Sequence, residues 1–237
     1  IIGPNVIIGD NSKIRSHCVI EGDTVIGKNN EFSAFTAIGS LPQHSKFTGG
    51  TSKLIIGDNN IFREHVTIHP GTEIGSKITT IGNNGLFMVG CHVAHDCIVG
   101  DNVIFVNGAV IGGHVEIGDY CYLGGYSAVH QFCRIGRHSF IAGGSLVRKD
   151  IPPYVKAARE PLSYVGINSV GLRRRGFDAT TIKSIQNIYR ILFQKKHNNT
   201  QAISIIEAEV EATKERDEIL SFIQNSQRGI MKGYFQN

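Results

Sequence analysis

The sequence predicts an all-β domain, a parallel β-helix, followed by a small C-terminal α-helical domain. An apolar residue recurs at every sixth position through the first two thirds of the chain, and glycine often follows it. The repeat stops at residues 150–153, beyond which the apolar residues adopt helical spacing. A short strand and a tight turn can repeat every six residues, whereas an α-helix cannot hold this period on one face. We therefore predict a β-helix over residues 1–153 and helices over residues 154–237.

The repeat also predicts how the coil is built. Three six-residue units close one triangular coil, and stacked coils form three parallel sheets. The repeat runs from Ile2 to Val147, and its apolar side chains are expected to point into the prism, where neighbouring coils cover them. Residues 41–53 and residues 74–80 depart from the repeat and are predicted to be loops. Loops on a rigid scaffold are favoured places for ligand contacts.

The five cysteines fit this repeat. Each lies four positions after an apolar repeat position, in a slot that elsewhere holds Val, Ser, Thr or Ala. We predict that they are buried packing residues, with no catalytic or metal-binding role. Their odd number and the lack of a C-x-x-C pair argue against a disulfide framework and fit a reducing cytoplasm. These cysteines are Cys18, Cys91, Cys97, Cys121 and Cys133.

The composition excludes several classes of protein. A formal net charge of +4 is only mildly basic, whereas nucleic-acid-binding proteins usually carry denser basic patches. No apolar run approaches the roughly 18 residues of a membrane span. The first residues lack the basic start and long apolar stretch of a signal peptide. Because they also lack an initiator Met, the sequence is expected to be a piece of a longer chain.

The C-terminal domain is predicted to contain four helices, docked on the coil or on a neighbouring subunit. Pro161 is expected to open a first helix that reaches about Arg175. Asp178 is a suitable N-cap for a second helix that continues through Lys196, and Thr200 for a third. The apolar residues of the second helix form one face that comprises Ile182, Ile185, Ile188, Tyr189 and Leu192. The fourth helix carries Ile219, Leu220 and Phe222.

One column of the predicted coil collects polar residues. Residues 18 apart lie one above the other, about 4.8 Å apart as in any sheet. Gly113 is therefore expected above His95, Gln131 above Gly113, and His114 above Asp96. A histidine beside a carboxylate is oriented and made more basic, which suits proton removal near neutral pH. A glycine one coil above leaves room and offers a backbone N–H to a developing oxyanion.

A metal site is the chemical alternative for this column. His92, His95 and His114 could supply three nitrogen ligands, as in β-helix proteins of the carbonic anhydrase type. His92 and His95 lie on opposite sides of a strand, however, so their convergence on one ion would be strained. We predict no metal and no cofactor. For any single residue of the column, ordinary turn polarity remains the competing interpretation.

Two further features have both a functional and a purely structural interpretation. Gly125 and Gly143 stack one above the other and predict a shallow trough, which fits a long, thin apolar ligand or simply reflects turn geometry. Arginines 173–175 follow Asn168. Three adjacent arginines usually form a solvated face, but at a helix end they could also bind phosphates bidentately.

The motifs at residues 92–97 and 128–132 resemble those of the UDP-N-acetylglucosamine O-acyltransferase family. Within hexapeptide-repeat proteins this combination is specific, because sister acyltransferases share the repeat but not these motifs. The similarity spans nearly the whole chain, including the helical tail. Further matching stretches are residues 39–43, 66–69, 112–115, 150–155 and 166–177.

The resemblance implies a left-handed β-helix, although crossover connections in ordinary sheets are right-handed. It implies a cytoplasmic homotrimer with active sites between subunits. It also implies transfer of an (R)-3-hydroxyacyl chain from acyl carrier protein to the 3-hydroxyl of UDP-N-acetylglucosamine, the first step of lipid A biosynthesis in Gram-negative bacteria. Typical members begin earlier, which implies that the first one or two coils precede Ile1.

The resemblance also assigns roles to residues. It implies that His95 is the general base, Asp96 its orienting partner and Gly113 the oxyanion donor, and that Gly143 lies at a position associated with acyl-chain length. His92, His114 and Gln131 match substrate-contacting positions. The nucleotide-sugar and carrier-arm contacts match Gln43, Lys46, His69, Asn168, Arg174 and Arg175.

Two residues depart from the family's pattern. His44 stands where many members have Asp, and Val170 where many have Glu. Both positions lie among the nucleotide-sugar contacts, so the acceptor could instead be a 3-amino sugar. The chain could also be a different hexapeptide acyltransferase or a non-catalytic solenoid. The segment 174–175 and the loop at 41–53 argue against a different acyltransferase, and the His-Asp column argues against a solenoid without activity.

Overall fold

The computed structural model describes residues 1–195 and 197–233 of the chain. Each turn of the coil contributes one strand to each of three sheets. The first sheet contains β1 (Val6–Ile8), β4 (Asp23–Ile26), β7 (Lys53–Ile56), β10 (Ile78–Ile81), β13 (Ile98–Val99), β16 (Glu116–Ile117) and β19 (Arg134–Ile135). The second contains β2 (Lys13–Ile14), β5 (Glu31–Phe32), β8 (Ile61–Phe62), β11 (Leu86–Phe87), β14 (Ile104–Phe105), β17 (Tyr122–Leu123), β20 (Phe140–Ile141), β22 (Val155–Ala158), β23 (Ser163–Ile167) and β24 (Lys232–Gly233). The third contains β3 (Val19–Ile20), β6 (Ala37–Ile38), β9 (Thr67–Ile68), β12 (His92–Val93), β15 (Val110–Ile111), β18 (Ala128–Val129) and β21 (Leu146–Val147).

The strand register is the one that the repeat predicts. In the uninterrupted part of the coil, paired residues are 18 apart, as for Ile98 and Glu116. The pairing also continues across both interruptions, because Ile56 pairs with Ile26 on one side and with Ile81 on the other. Each interruption therefore leaves the coil as a loop and returns without disturbing the stack.

We call these loops the first excursion (residues 39–52) and the second excursion (residues 69–77). The second excursion begins and ends earlier than the predicted segment 74–80, because the strand Ile78–Ile81 pairs with Lys53–Ile56. The first excursion ends one residue before the predicted limit, since Lys53 already belongs to β7.

The interior of the prism is a continuous apolar column. Phe32, Phe62, Phe87 and Phe105 are fully buried, and their rings stack with centroids 4.9–5.0 Å apart. Such stacking adds to the hydrophobic stabilisation from burial. All five cysteines are free and buried, which confirms the prediction of packing residues. Burial raises the pKa of the Cys97 thiol to about 12, so this side chain stays a neutral thiol.

The segment after residue 153 begins as sheet. β22 pairs in parallel with β20, and β23 then runs antiparallel to β22. The predicted helix from Pro161 is therefore wrong over its first part, because these residues complete a sheet edge instead. Helix α1 (Ser169–Arg174) starts only after Asn168, whose side-chain oxygen accepts a hydrogen bond from the Gly171 N–H at 3.2 Å.

The remaining three helices agree with the predicted order. Helix α2 (Ala179–Gln194) is capped by Asp178, as predicted, and the predicted end at Lys196 lies outside the described residues. Helix α3 (Asn199–Glu209) is capped by Asn198, so the prediction of Thr200 is wrong. Asn198 is the cap because its side chain and that of Gln201 form a reciprocal capping box. Helix α4 (Lys214–Gln224) buries Ile219, Leu220, Phe222 and Ile223.

The helices pack on the last coils of the same chain. Glu218 of α4 accepts hydrogen bonds from Nε of Arg137, at 2.8 Å, and from the hydroxyl of Tyr154. The Tyr189 hydroxyl of α2 donates to the Pro153 carbonyl at 2.6 Å. The exact boundary at residue 153 stays a prediction. None of the helices in the described part of the chain has the length and apolar character needed to cross a bilayer.

Candidate active site

The corner that follows β12 holds a buried His-Asp pair. His95 and Asp96 are 7% and 4% exposed. The Nδ1 of His95 lies 2.7 Å from Oδ2 of Asp96. A carboxylate only accepts hydrogen bonds, so Nδ1 carries a proton, and in the neutral ring Nε2 keeps its lone pair. The predicted orientation of the imidazole by Asp96 is therefore present, with Nε2 as the nitrogen available to a substrate.

The second excursion holds Asp96 in place. Oδ1 of Asp96 accepts hydrogen bonds from the backbone N–H groups of Thr72 and Ser76, at 3.0 and 2.8 Å. The hydroxyls of Thr72 and Ser76 also donate to the Asp96 carboxylate. Burial alone would raise the pKa of Asp96, but the hydrogen bonds from Thr72, His95 and Ser76 outweigh it and lower that pKa to about 2. Asp96 is therefore an anion throughout the neutral range. Sequence reasoning missed Thr72 and Ser76, because the repeat gives no register for residues outside the coil.

Gly113 lies directly against the His95 ring. A methyl group added at Gly113 would lie 2.5 Å from Cε1 and 2.8 Å from Nε2 of His95, closer than real contacts allow. Only glycine therefore fits above this imidazole, as the column predicts. The Gly113 carbonyl accepts from the Phe132 N–H at 3.0 Å. Within the described residues its own N–H has no protein acceptor, so that N–H can donate to a ligand.

Two more imidazoles border His95. The ring of His114 lies edge-on to it at a centroid distance of 5.3 Å, and the ring of His44 lies edge-on at 5.0 Å. The Nε2 of His114 is 3.7 Å from Oδ2 of Asp96. Burial lowers the pKa of His114, and this effect outweighs the opposing effect of the Asp96 charge, which raises it. The contact between His44 and His95 was not predicted.

His69 and His92 extend this cluster along the same face. Their ring centroids are 4.9 Å apart, and a hydrogen bond of 2.7 Å joins His92 Nδ1 to the Thr67 hydroxyl. The backbone N–H of Gln43 donates to His69 Nδ1 at 3.4 Å, which ties the first excursion to the start of the second. Burial, with the nearby charges of His92 and His95, lowers the pKa of His69 to about 4. Burial also lowers the pKa of His92. His69 is therefore neutral at pH 7.

One combination of side chains has the spacing of a metal site. The ligand atoms of His95, Asp96 and His114 lie within 4.8 Å of one another, a different set from the three histidines considered above. Both oxygens of Asp96 already accept hydrogen bonds from N–H and O–H donors, which point at the lone pairs that an ion would need. In this arrangement the lone pairs of Asp96 are taken by hydrogen bonds, including the one from His95 Nδ1.

The remaining predicted site residues lie on different edges of the prism. Gln131 is exposed and one coil above Gly113, on the same edge as His95. Gly125 and Gly143 lie on the edge between the second and third sheets, where a methyl group at Gly143 would meet the Gly125 carbonyl oxygen at 3.2 Å. Lys46 lies exposed in the first excursion.

The third edge, between the first and second sheets, carries the arginines. Asn168 donates from Nδ2 to the His138 carbonyl at 2.9 Å, and the Arg175 guanidinium lies 4.9 Å from the ring centroid of Tyr120. Arg174 is exposed at the end of α1. Val170, which departs from the family's pattern, lies 52% exposed in the same helix.

Comparison with known proteins decides the family. Over 233 residues the chain is 45% identical to the acyl-[acyl-carrier-protein]--UDP-N-acetylglucosamine O-acyltransferase of Syntrophobacter fumaroxidans, in a match that covers 98% of the chain and 90% of that protein. The chain belongs to the UDP-N-acetylglucosamine O-acyltransferase family. The profile of domain 2 of this family matches residues 150–231, and the hexapeptide-repeat profile matches residues 5–40 and 114–149. The resemblance seen in the motifs is thereby confirmed.

Solved structures of this family share the fold. The UDP-N-acetylglucosamine acyltransferase of Francisella novicida is 40% identical, with a TM-score of 0.96 over 99% of the chain and 86% of that protein. The enzyme from Campylobacter jejuni is 33% identical, with a TM-score of 0.91 over 98% of the chain and 89% of that protein. The predicted class, a left-handed parallel β-helix followed by a small helical domain, is confirmed.

Proposed function

We propose that this chain transfers an (R)-3-hydroxyacyl group from acyl carrier protein to the 3-hydroxyl of UDP-N-acetylglucosamine, the first step of lipid A biosynthesis, with His95 as the general base. The single observation that supports the base is the 2.7 Å contact between His95 Nδ1 and Asp96, which leaves Nε2 free beneath Gly113. Membership in the family supports the reaction.

The first step is removal of a proton. Nε2 of His95 takes the proton of the sugar's 3-hydroxyl while that oxygen attacks the carbonyl carbon of the acyl thioester. The imidazole becomes an imidazolium, and the Asp96 anion stabilises this charge through Nδ1–H. Because the pKa of Asp96 is lowered to about 2, the carboxylate remains ionised during the step and does not take the proton itself.

The second step is collapse of the tetrahedral intermediate. Its oxyanion accepts a hydrogen bond from the Gly113 N–H, which stabilises the negative charge most in the transition state. The carbon–sulfur bond then breaks, and His95 returns its proton to the leaving thiolate. The products are an ester of the sugar nucleotide and the free thiol of the carrier protein, so all atoms balance.

We also propose a homotrimer with its active sites between subunits. Catalytic, trough and arginine residues lie on three different edges of one prism, so a single copy presents them in three directions. A second copy that packs its arginine edge beside the His95 edge would complete the site. The five free, buried cysteines support a reducing, cytoplasmic location.

The substrate proposal is tested by product analysis. The protein is incubated with UDP-N-acetylglucosamine and acyl carrier proteins that carry 3-hydroxyacyl chains of several lengths, and products are identified by mass. We expect an O-acylated sugar nucleotide. A competing 3-amino analogue in the same tube tests the second possible acceptor, and exclusive amide formation would contradict the proposed ester.

A further inference from the structure

The first excursion places His44 directly against the proposed base. The two rings meet at an interplanar angle of 88°, with centroids 5.0 Å apart. His95 is only 7% exposed, and His44 is one of the side chains that enclose it, with His114 on another side. Edge-to-face packing of this kind fixes the plane of a ring.

The excursion itself fixes His44. Its backbone N–H donates to the Pro42 carbonyl, and its carbonyl accepts from the Phe47 N–H, both at 2.9 Å. Nδ1 of His44 accepts from the backbone N–H of Lys46 at 3.2 Å. A nitrogen that accepts a hydrogen bond carries no proton, so the neutral ring has its proton on Nε2. Protonation of Nδ1 would place two donors face to face and break this turn.

The charge of His44 also matters to its neighbours. The titratable groups that face it are His95 at the same corner and His114 from the coil above, with Lys46 on its own loop. Asp96 lies behind His95, bonded to its Nδ1. A positive charge on His44 disfavours a positive charge on His114. His95 is nearer than a Debye length and largely buried, so the same repulsion would oppose the imidazolium that forms when His95 takes a proton.

We propose that His44 is a positioning residue for the acyl transfer, because its ring closes one side of the His95 imidazole and must be neutral for His95 to accept the proton of the substrate. This inference rests on the proposed role of His95. It differs from a sugar contact at this position, because it predicts an effect on the chemical step and not on substrate affinity.

Two substitutions separate the ring from the hydrogen bond. His44→Asn keeps an acceptor for the Lys46 N–H but removes the ring, and His44→Phe keeps a ring but removes the acceptor and the charge. The matched control is His65→Asn, which alters an exposed histidine stacked on Phe35 at a distant corner. Steady-state rates of the full chain are measured from pH 5.5 to 9 with UDP-N-acetylglucosamine and 3-hydroxyacyl carrier protein.

We expect kcat at pH 8 to fall roughly 10-fold in His44→Asn and less than about threefold in His44→Phe, with KM for the sugar nucleotide nearly unchanged in both. The acid limb of log kcat/KM should be steeper in the natural protein than in either variant, because neither Asn nor Phe can carry the positive charge that opposes the His95 imidazolium. His65→Asn should match the natural protein throughout.

Two results would overturn the inference. One is a raised KM with kcat unchanged in both variants, which would make His44 a sugar contact. The second is an acid limb and a kcat identical to those of the natural protein. His95→Ala is measured in the same series to test the proposed base separately. If His95→Ala loses turnover while the His44 variants do not, only the proposed role of His44 is wrong. If His95→Ala keeps near-normal turnover, the proposed roles of His95 and His44 are both wrong.

Discussion

The edge that carries His95 and the edge that carries Arg175 are built by the same repeat but hold their polar side chains differently. At the His95 edge, polar groups are buried and satisfy one another, and Asp96 is held by donors from the second excursion. At the Arg175 edge, stacked rings of Tyr120, His138 and Tyr154 form a platform, and Arg175 lies on Tyr120.

The two edges suit different chemistry, because one buries a histidine beside a carboxylate and the other presents arginines on a stack of rings. Burial, followed by the charges of Arg137 and Arg175, lowers the pKa of His138 to about 4, so that ring stays neutral and supports the arginines as a flat surface. The first edge is organised for proton transfer, whereas the second presents cations that suit the phosphates of a nucleotide. In the proposed trimer, the two halves of each site would therefore come from two different chains.

The largest expected effect tests the first edge. His95→Ala should reduce kcat by on the order of 10²-fold or more, because it removes the proposed general base. Circular dichroism and melting temperature should show an intact fold. Turnover near that of the natural protein would mean that the buried pair is not the proton acceptor.

Mixed oligomers test whether the two edges meet between subunits. His95→Ala and the double variant Arg174→Ala/Arg175→Ala are each expected to be nearly inactive at low sugar-nucleotide concentration. When the two chains are co-expressed with different tags and mixed trimers are purified, about one third of the sites should combine an intact half from each chain, because every mixed ring contains one such pair among its three interfaces. Activity should recover to about that fraction. If the mixed oligomers show no more than half the activity of the double variant, His95 and the arginines of each site belong to the same chain.

A smaller effect is expected from the second edge alone. Arg175→Ala should raise KM for UDP-N-acetylglucosamine about 10-fold with little change in kcat, because the guanidinium binds ground state and transition state alike. Arg175→Lys keeps the charge but not the fork or the stacking on Tyr120, so it should recover only part of the affinity. A fall in kcat at unchanged KM would contradict the proposed division between the edges.

The smallest expected effect is a change of preference on the remaining edge. We propose that the acyl chain lies along Gly125 and Gly143, where each buried methylene would stabilise it by about 0.8 kcal/mol. We expect a natural preference for chains of about 14 carbons or more. Gly143→Met should shift that preference to a shorter donor. Donors of roughly 10, 12, 14 and 16 carbons, mixed in one reaction and resolved by mass, give the measurement, and a preference for the shortest by the natural protein would disprove the role of Gly143.

The positions of most residues that lie on the coil could be predicted from the sequence. Because the register is rigid, the placement of Gly113 over His95 could be deduced from spacing alone, and so could the buried cysteines. The excursions follow no repeat, so the donors Thr72 and Ser76 and the ring of His44 could not be placed. Each of them contacts a residue that is remote in sequence, which local patterns do not encode.

The errors in the helical tail have a similar cause. Pro161 is a good helix opener by local preference, but the segment that follows finds backbone partners in β22, and tertiary pairing outweighs propensity. At the third helix, Thr200 and Asn198 are both acceptable caps. The reciprocal bond with Gln201 selects Asn198, and that bond depends on a side-chain geometry that spacing alone does not give.

The return of the first excursion to an unbroken register has a consequence for how such proteins change over time. Ile26 and Ile56 pair across the first excursion, so an insertion or deletion in residues 48–52, beyond the turn that holds His44, leaves His95 in place beneath Gly113. This part of the first excursion can therefore change in length, or be replaced by design, while the placement of His95 beneath Gly113 is kept. Because the family resemblance places Gln43 and Lys46 among the nucleotide-sugar contacts, we expect new acceptor specificities in this family to arise at this loop.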